Sequence, residues 1–477
     1  MISNYVLLGL SQLLIFVSSA HTHTKACTPD TFASLGLSNI NVFSVEARIN
    51  HAHWNTADTL NAYPVPTNAT VKVCQITVNY THPGWNDKLT TWISLPVDGW
   101  NAKQSSGGYA AASTNGGHDE RATVQSWAMT SKGCDEDILG QSQKYAYWNG
   151  CSTGGRQGHM LAQRYPTQYD GILADSPAIN WDKFPLAELW PQLLMKYLEL
   201  NAFTQYALDS CDELDGIKDG IISMPGLCKF DPNTLIGESI QCIKIVTKIT
   251  PKAAKFVSLV WAGPSDSSES LWYGLSHDAA LVYLAATNCT SPSKSCKGIP
   301  FPVAEDWENI FVSRNSSAEA LSVTHAEYTR HFRQSINEFS SIIGTHDPDL
   351  TRFKQAGGKM ISWHGTKDQV IFYNGTENYY RNAMEVDPNL HDYYRFFLAP
   401  GAEHCSPGIE FFPGSSFEAL VEWVKNGKAP DTLQAIATPT ATGSAKPPLR
   451  TAGLCPFPEI LSYVGGDASK ASSFTCK

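Results

Sequence analysis

A serine stands between two glycines in the segment Gly150-Cys151-Ser152-Thr153-Gly154, which fits the pattern G-x-S-x-G. A predicted strand, Lys144–Trp148, precedes the serine, and a helix-like stretch, Arg156–Tyr165, follows it. In that context the pattern is typical of a sharp strand-to-helix turn that presents a nucleophilic serine above a sheet. The turn would also direct the Thr153 N–H and the helix N-terminus toward a developing oxyanion. An ordinary glycine-rich loop is the alternative interpretation.

An acid and a base follow the serine in the order Ser…Asp/Glu…His, which is the order found in enzymes that carry their nucleophilic serine on such a turn. Asp368 and His404 each come just after a short apolar run that we predict to be a strand. The carboxyl ends of parallel strands meet at one edge of a sheet, where sites are built. We therefore expect His404 to act as the base and Asp368 to orient it, with Asp392 and Glu403 as alternative acids.

Cysteines adjoin both of these candidate catalytic residues. Cys151 directly precedes Ser152, and Cys405 directly follows His404. If the triad forms, the two sulfurs lie close together, and a disulfide would then join the nucleophile to the base. Closing so long a loop stabilises a protein by about 5 kcal/mol in a chain-entropy model.

Composition limits the class of protein. Of 477 residues, 42% are hydrophobic and only 17% are charged, which excludes a disordered chain and a coiled coil. The formal net charge of −10 repels phosphate backbones, so we expect no nucleic-acid partner. The twelve cysteines indicate an oxidising compartment.

The N-terminal segment supports that compartment. Residues 1–20 carry an apolar run, Val6–Val17, followed by the small residues Ser18-Ser19-Ala20, which is typical of a cleaved signal peptide. We therefore predict a secreted protein with no membrane-spanning segment; an uncleaved anchor or a buried strand is the alternative interpretation of the apolar run. Five N-x-S/T sequons mark candidate glycosylation sites on its surface. They are Asn68, Asn79, Asn288, Asn315 and Asn374.

The elements that must position these residues change in type along the chain. Residues 21–115 read as β-rich, with predicted strands at Thr70–Tyr80, Thr90–Val97 and Tyr109–Thr114. Strands alternating with helices then predict a mostly parallel, covered sheet. Its strands are Lys144–Trp148, Ile172–Ala174, Lys359–Trp363 and Tyr394–Leu398. We predict an α/β fold in which residues 21–180 and 346–477 form the catalytic core and residues 181–345 form an inserted lid domain.

Three motifs together resemble the secreted tannase/feruloyl esterase family. They are residues 147–158 (YWNGCSTGGRQG), His364-Gly365-x-x-Asp368 and Gly401-x-x-His404-Cys405. The resemblance implies an α/β-hydrolase core with a large lid, and a disulfide between the cysteines that flank the catalytic Ser and His. It also implies cleavage of phenolic-acid esters, such as ferulate on plant-wall sugars or gallate in tannins. Ser152 would be the nucleophile and form an acyl-enzyme, with His404 as base and Asp368 as its orienting acid.

The segment Cys211–Ile221 carries three aspartates within eight positions, which suits a Ca²⁺ ion or, alternatively, a solvated acidic turn. The segment also resembles the lid calcium loop of the family. That resemblance implies carboxylate ligands from Asp212, Asp215 and Asp219, and backbone oxygens from Ile217 and Ile221. The ion would be structural, and we expect no organic cofactor.

Sequence proximity and the resemblance together predict four further disulfides. These are Cys211–Cys228 and Cys289–Cys296 in the lid, and Cys27–Cys74 and Cys455–Cys476 at the two ends. Cys134 and Cys242 receive no predicted partner.

Two stretches are shorter than the family pattern. The family usually has a longer glycine-containing segment after Asn101 that supplies a second oxyanion donor, whereas here Ala102–Ser106 leads directly to Gly107-Gly108. The stretch from His118 to Lys144, before the nucleophile strand, is also short. The leading hypothesis is a feruloyl esterase acting on phenolic esters, including polysaccharide-linked ones. A tannase, or a secreted calcium-binding pseudoenzyme or wall-binding protein, is the alternative.

Overall fold

The structure is a computed structural model in which fifteen stretches of the chain are described. These are residues 16–17, 27–32, 40–54, 69–84, 88–97, 111–114, 145–194, 200–242, 245–266, 269–291, 294–315, 317, 319–405, 411–437 and 450–477. The chain divides into two compact units. The first comprises residues 1–175, 350–361 and 417–429, and the second comprises residues 176–349, 362–416 and 430–477.

Seventeen strands are described. They are β1 (Phe16–Val17), β2 (Asn41–Trp54), β3 (Ala69–Thr81), β4 (Leu89–Pro96), β5 (Ala111–Thr114), β6 (Ala146–Cys151), β7 (Gly171–Asp175), β8 (Ser239–Cys242), β9 (Ile245–Lys248), β10 (Thr287–Ser291), β11 (Lys294–Gly298), β12 (Lys359–Gly365), β13 (Tyr394–Ala399), β14 (Leu433–Ala437), β15 (Arg450–Leu454), β16 (Leu461–Tyr463) and β17 (Phe474–Cys476).

Eleven α-helices are described, together with shorter 3-10 and π turns. They are α1 (Pro29–Phe32), α2 (Thr153–Arg164), α3 (Phe184–Leu194), α4 (Leu200–Cys211), α5 (Pro251–Ala262), α6 (Leu281–Leu284), α7 (Pro302–Asp306), α8 (His325–Phe339), α9 (Thr351–Gln355), α10 (Tyr373–Val386) and α11 (Ser416–Asn426). In the part of the chain that the structure describes, no helix is long and apolar enough to cross a membrane.

An antiparallel sheet forms the N-terminal part of the first unit. Strands β2, β3, β4 and β5 pair in that order. Ile76 and Val78 of β3 are almost fully buried, whereas Thr77 lies on the other face opposite the exposed Trp92. This period-two alternation is the physical basis of the strand prediction at residues 70–80, which β3 confirms. Strand β4 confirms the prediction at residues 90–97, and β5 confirms the last four residues of the prediction at 109–114, whose first two lie outside the described residues.

The α/β part follows the predicted rhythm. The sheet has the strand order β1-β6-β7-β12-β13, and β6 pairs in parallel with β7. The four core strands and helix α2 that the sequence predicts are all present, and no boundary is shifted by more than three residues. β6 and β7 are buried almost throughout, as expected of parallel strands covered on both faces. The edge strand β1 falls within the predicted signal peptide, and the rest of that peptide lies outside the described residues.

The region between β7 and β12 is mainly helical and has its own core. Two of its helices begin at polar caps: Thr250 accepts a hydrogen bond from Ala253 N–H at the start of α5, and Thr324 and Glu327 form a reciprocal capping box at the start of α8. The helices of this region bury Trp190, Phe203 and many neighbours in one cluster. In the two compact units, residues 362–416 and 430–477 group with residues 176–349, and the division into catalytic core and lid stays a prediction.

Candidate active site

Ser152 occupies a strained turn between β6 and α2 in the first unit. Its backbone has φ 63° and ψ −119°, a conformation that non-glycine residues seldom adopt. Two hydrogen bonds hold the turn: Ser152 N–H donates to Asp175 O at 3.0 Å, and Arg156 N–H donates to Ser152 O at 3.0 Å. The Ser152 side chain does not cap α2, so its hydroxyl is not used by the helix.

The glycine before the turn is required by close backbone packing. A Cβ at Gly150 would lie 2.6 Å from the carbonyl carbon of Gly154, a distance that real contacts do not allow. By contrast, a Cβ on Gly154 would meet nothing within 4 Å. The G-x-S-x-G pattern therefore has a local steric cause at its first glycine, and the turn is the one that the sequence predicts.

Thr153 is the first residue of α2, where backbone N–H groups have no partner within the helix. Such groups and the helix dipole favour negative charge near the N-terminus. Helix α2 also carries a histidine, His159. Burial lowers the pKa of His159 to about 4, and its Nδ1 contacts Gly155 O at 3.0 Å. His159 is thus a buried structural residue and not a candidate base.

Asp368 and His404 are in direct contact in the second unit. His404 Nδ1 lies 2.7 Å from Asp368 Oδ2, and both side chains are almost fully buried. The backbone N–H groups of Val370 and Ile371 each donate to Asp368 Oδ1 at 2.8 Å. One carboxylate oxygen is therefore held by the backbone, and the other faces the imidazole.

The charged state of Asp368 is strongly favoured. Burial alone would raise the pKa of this carboxyl, but the attraction of His404 and the hydrogen bonds from His364 and His404 hold it far below its usual value. A buried carboxylate on Nδ1 fixes the imidazole tautomer that leaves Nε2 as the proton acceptor. The alternative acids are placed differently, since Glu403 pairs with Lys367 at 3.6 Å and Asp392 is exposed.

Two loops of the second unit are tied together so that Asp368 and His404 meet. Gly401 N–H donates to Thr366 Oγ1 at 2.9 Å, and His404 N–H donates to Gln369 Oε1 at 3.2 Å. A Cβ on Gly365 would lie 2.1 Å from Ala402 O, so only glycine allows this approach. The His-Gly-x-x-Asp spacing therefore has a steric cause as well as a chemical one.

Sequence reasoning gave no role to two buried polar residues near Asp368. His364 is fully buried and contacts Asp368 Oδ2 at 3.0 Å. Glu188, on α3, is also fully buried, and neither of its carboxylate oxygens has a hydrogen-bond partner. Burial and the charge of Asp368 raise the pKa of Glu188 well above its usual value. The His-Gly-x-x-Asp motif is the sequence feature that could have indicated a role for His364. No feature of the sequence indicates that Glu188 is buried near Asp368.

Four large aromatic residues lie in or against the helical core of the second unit. Trp190 and Trp272 are at most 9% exposed within the apolar cluster, and Trp181 and Tyr273 pack against it. This placement indicates that they contribute to core packing.

The acidic segment forms a tight turn braced by a disulfide. Asp212 accepts hydrogen bonds from the N–H groups of Asp219 and Gly220, and Asp219 Oδ2 pairs with the Arg450 guanidinium. Burial raises the pKa of Asp215, and it raises that of Asp219 to about 6 despite Arg450. Among the described residues, no group of three or more acidic, histidine or cysteine side chains is already arranged to hold a metal ion.

This turn nevertheless has the donor chemistry that Ca²⁺ prefers. Asp212 and Asp215 are largely buried, and their like charges act on each other and on Asp219. Carboxylates and the free carbonyls of a turn are hard oxygen donors. The side chains present therefore match a calcium ion in donor type, and in this arrangement the Arg450 guanidinium is the cation paired with Asp219.

Three of the predicted disulfides are confirmed: Cys27–Cys74, Cys211–Cys228 and Cys455–Cys476. Cys289 and Cys296 are directly opposite each other in the β10–β11 hairpin, and nothing further is described of their side chains. Cys151 and Cys405 are each disulfide-bonded.

Several predicted features lie outside the described residues, namely Asn68, Gly107-Gly108, Cys134 and the short stretch 119–143. Of the other sequons, Asn288 and Asn315 are exposed, and Asn79 and Asn374 are half-buried. Asn79 lies on the outward-facing side of β3, where its Nδ2 donates to Ser44 Oγ at 2.8 Å. Glycosylation of these sites stays a prediction.

Comparison with known proteins places this geometry in a family. Residues 75–477 match the model of a family described as tannase and feruloyl esterase. A probable feruloyl esterase from Arthroderma benhamiae is 34% identical, and the match covers 87% of each chain. A mono(2-hydroxyethyl) terephthalate hydrolase from Piscinibacter sakaiensis is 29% identical over 71% of this chain and 64% of its own.

Two solved structures have the same fold. Tannin acyl hydrolase from Aspergillus niger superposes with a TM-score of 0.78 at 21% identity, covering 93% of this chain and 92% of that one. Feruloyl esterase B from Aspergillus oryzae has a TM-score of 0.74 at 24% identity, covering 94% and 99%. These likenesses agree with an α/β-hydrolase fold. The chain belongs to the tannase and feruloyl esterase family of carboxylic ester hydrolases.

Proposed function

We propose that this protein is a secreted serine esterase that cleaves esters of phenolic acids, of the feruloyl esterase type. The observation that carries the proposal is the contact of 2.7 Å between His404 and the buried, ionised Asp368. The strained turn at Ser152 supports it, because that turn is built for an exposed nucleophile.

In the proposed mechanism, Ser152 Oγ attacks the ester carbonyl while His404 Nε2 takes its proton. Asp368 keeps the other imidazole proton on Nδ1 and stabilises the imidazolium that forms. The Thr153 N–H, at the positive end of α2, stabilises the oxyanion of the tetrahedral intermediate. His404 then protonates the leaving alcohol, and water, activated by the same imidazole, releases the phenolic acid from the acyl-enzyme.

We also propose that Cys151 and Cys405 are bonded to each other. Each is disulfide-bonded, and the other six described disulfide cysteines form three pairs among themselves. Such a bond would hold the nucleophile turn and the base loop together. We further propose that residues 181–345 form a lid and that Cys289 and Cys296 form a disulfide.

The substrate class rests on the relatives. Their names refer to feruloyl, tannin and terephthalate esters, all of which have an aromatic acyl group. Ferulate esters of wall polysaccharides are therefore the first candidate substrates. Gallate esters are the second candidate, favoured by the fold similarity to tannin acyl hydrolase.

The experiment is hydrolysis of methyl ferulate, methyl caffeate and methyl gallate by the purified chain. We expect acid release from at least one ester, and a fall of at least about 10³-fold in Ser152→Ala, which leaves only binding and the oxyanion donor. A fluorophosphonate should label the wild type at Ser152 and should not label the variant. A folded wild type that neither labels nor releases acid would refute the esterase and leave the wall-binding alternative.

We propose that Ca²⁺ binds the turn through the carboxylates of Asp212, Asp215 and Asp219 and the carbonyls of Ile217 and Ile221. The ion would neutralise the three carboxylates and stabilise the turn, with no part in the chemistry. We expect EGTA to lower the melting temperature and excess Ca²⁺ to restore it. Asp212→Asn should abolish this dependence of the melting temperature on calcium. Replacing an exposed carboxylate, as in Asp231→Asn, should leave the dependence unchanged.

A further inference from the structure

His364 contacts Asp368 on the same carboxylate oxygen as His404. Its Nε2 lies 3.0 Å from Asp368 Oδ2 and 3.0 Å from Ile371 O, and its Nδ1 lies 2.9 Å from Thr376 Oγ1. The ring is fully buried at the end of β12. Both ring nitrogens are therefore used, and none of these contacts involves solvent.

The two partners of Nε2 define where the ring proton lies. Asp368 Oδ2 and Ile371 O can only accept hydrogen bonds, so a lone pair on Nε2 would face two acceptors. The N–H of the neutral imidazole must therefore be on Nε2. Nδ1 then accepts, and the Thr376 hydroxyl, which can donate, is its partner.

We propose that His364 is a positioning residue of the catalytic triad, which donates its Nε2–H to Asp368 and thereby sets the orientation and the charge that this carboxylate offers to His404. The inference rests on the proposed function. Asp368 Oδ1 is held by two backbone amides, but Oδ2 would be held by His404 alone without this second donor. A carboxylate fixed at both oxygens cannot rotate away from the base.

The second donor should also moderate the field at His404. A hydrogen bond from His364 withdraws part of the negative charge of Oδ2, so its removal leaves a more strongly basic carboxylate facing His404. The imidazolium would then be favoured, and the acidic limb of the pH profile would move to higher pH. Two other titratable groups face this network, Glu188 and Tyr283, whose pKa values are raised first by burial and further by the charge of Asp368. The disulfide-bonded Cys405 also faces it, with its Sγ 3.6 Å from His404 Nε2.

The competing interpretation is that His364 merely fills space in the core. Two amide variants separate the interpretations, because they differ by one methylene. In His364→Gln the amide reaches the position of Nε2, so a donor to Asp368 is retained. In His364→Asn the amide reaches only the position of Nδ1, beside Thr376, and the donor to Asp368 is lost.

The first measurement is kcat and KM of both full-length variants as a function of pH, with the folded fraction known from thermal melts. We expect His364→Asn to lose about 10–100-fold in kcat with little change in KM, since a hydrogen bond to a charged group is removed. Its acidic limb should move to higher pH. His364→Gln should stay within a few-fold of the wild type with an unmoved profile.

The second measurement does not depend on activity. The proton between His404 and Asp368 should be among the most deshielded in the ¹H NMR spectrum, and its absence in His404→Gln assigns it. We expect that resonance to move in His364→Asn and to stay in His364→Gln. Equal behaviour of the two variants in both measurements would overturn the positioning role. If the resonance moves as expected while the wild type hydrolyses no ester, the proposed function fails and the positioning role stands.

Discussion

Asp368→Asn is the substitution whose outcome the structure constrains most tightly. Asp368 Oδ1 accepts from two backbone N–H groups at 2.8 Å, and Oδ2 accepts from His404 and His364 at 2.7 and 3.0 Å. An asparagine has one acceptor and one donor in place of these two oxygens. Turning the amide NH₂ toward the backbone would break two hydrogen bonds and bury clashing donors, each costing about 1–3 kcal/mol.

The asparagine should therefore direct its NH₂ toward His404 and His364, and His364 keeps Ile371 O as an acceptor for its Nε2–H. Nδ1 of His404 must then accept, so that its proton moves to Nε2, the atom proposed to take the proton from Ser152. His404 then cannot accept the proton of Ser152, although the side chains keep their positions. The same change in another serine-hydrolase triad lowers kcat by about 10⁴-fold, which corresponds to about 5.4 kcal/mol of transition-state stabilisation.

The assay is kcat on the best of the methyl esters, together with the rate of fluorophosphonate labelling, at constant folded fraction. Both rates should fall together, because both need an activated Ser152. Asp278→Asn is the matched control. Asp278 is also buried and accepts a hydrogen bond from Ser276 Oγ at 2.7 Å, but it does not contact His404. A loss below tenfold in a folded Asp368→Asn variant would refute the assigned role of this residue.

Two further predictions concern stability. Because burial and Asp368 raise the pKa of Glu188, the folded chain retains a proton over a pH range in which the unfolded chain has lost it. Stability therefore falls as pH rises from the unfolded pKa through the folded one. Glu188→Gln should therefore melt higher than the wild type at pH 7–8 and equally near pH 4, with about 1.4 kcal/mol for each unit of elevation; thermal melts showing no gain at neutral pH would contradict this. Gly150→Ala should lose about 1–3 kcal/mol of unfolding free energy in denaturant titrations, since its Cβ meets backbone at 2.6 Å, whereas Gly154→Ala should match the wild type.

Much of the local structure follows from the sequence because its causes are local. Alternating apolar residues define β3 and β4, and Gly150 permits the turn at Ser152. The order of the motifs predicts which acid and which base come after which strand. The three confirmed disulfides join cysteines separated by 47 residues or fewer, for which proximity along the chain is informative.

The less predictable features depend on contacts between distant residues. The sequence left three carboxylates as partners for His404, and only the folded loops show that Asp368 meets it while Glu403 pairs with Lys367. Chain order also does not specify which distant segments group together, as residues 362–416 and 430–477 do with residues 176–349.

Residue types at short, fixed spacing along the chain are enough to indicate the family, the strand-to-helix turn at Ser152 and the candidate base His404. Tertiary structure decided how the second oxygen of Asp368 is shared between His404 and His364, and that Glu188 is buried without a partner. The physical reason is that hydrogen-bond partners and desolvation are properties of the packed chain. No spacing along the sequence encodes which polar atoms lose water.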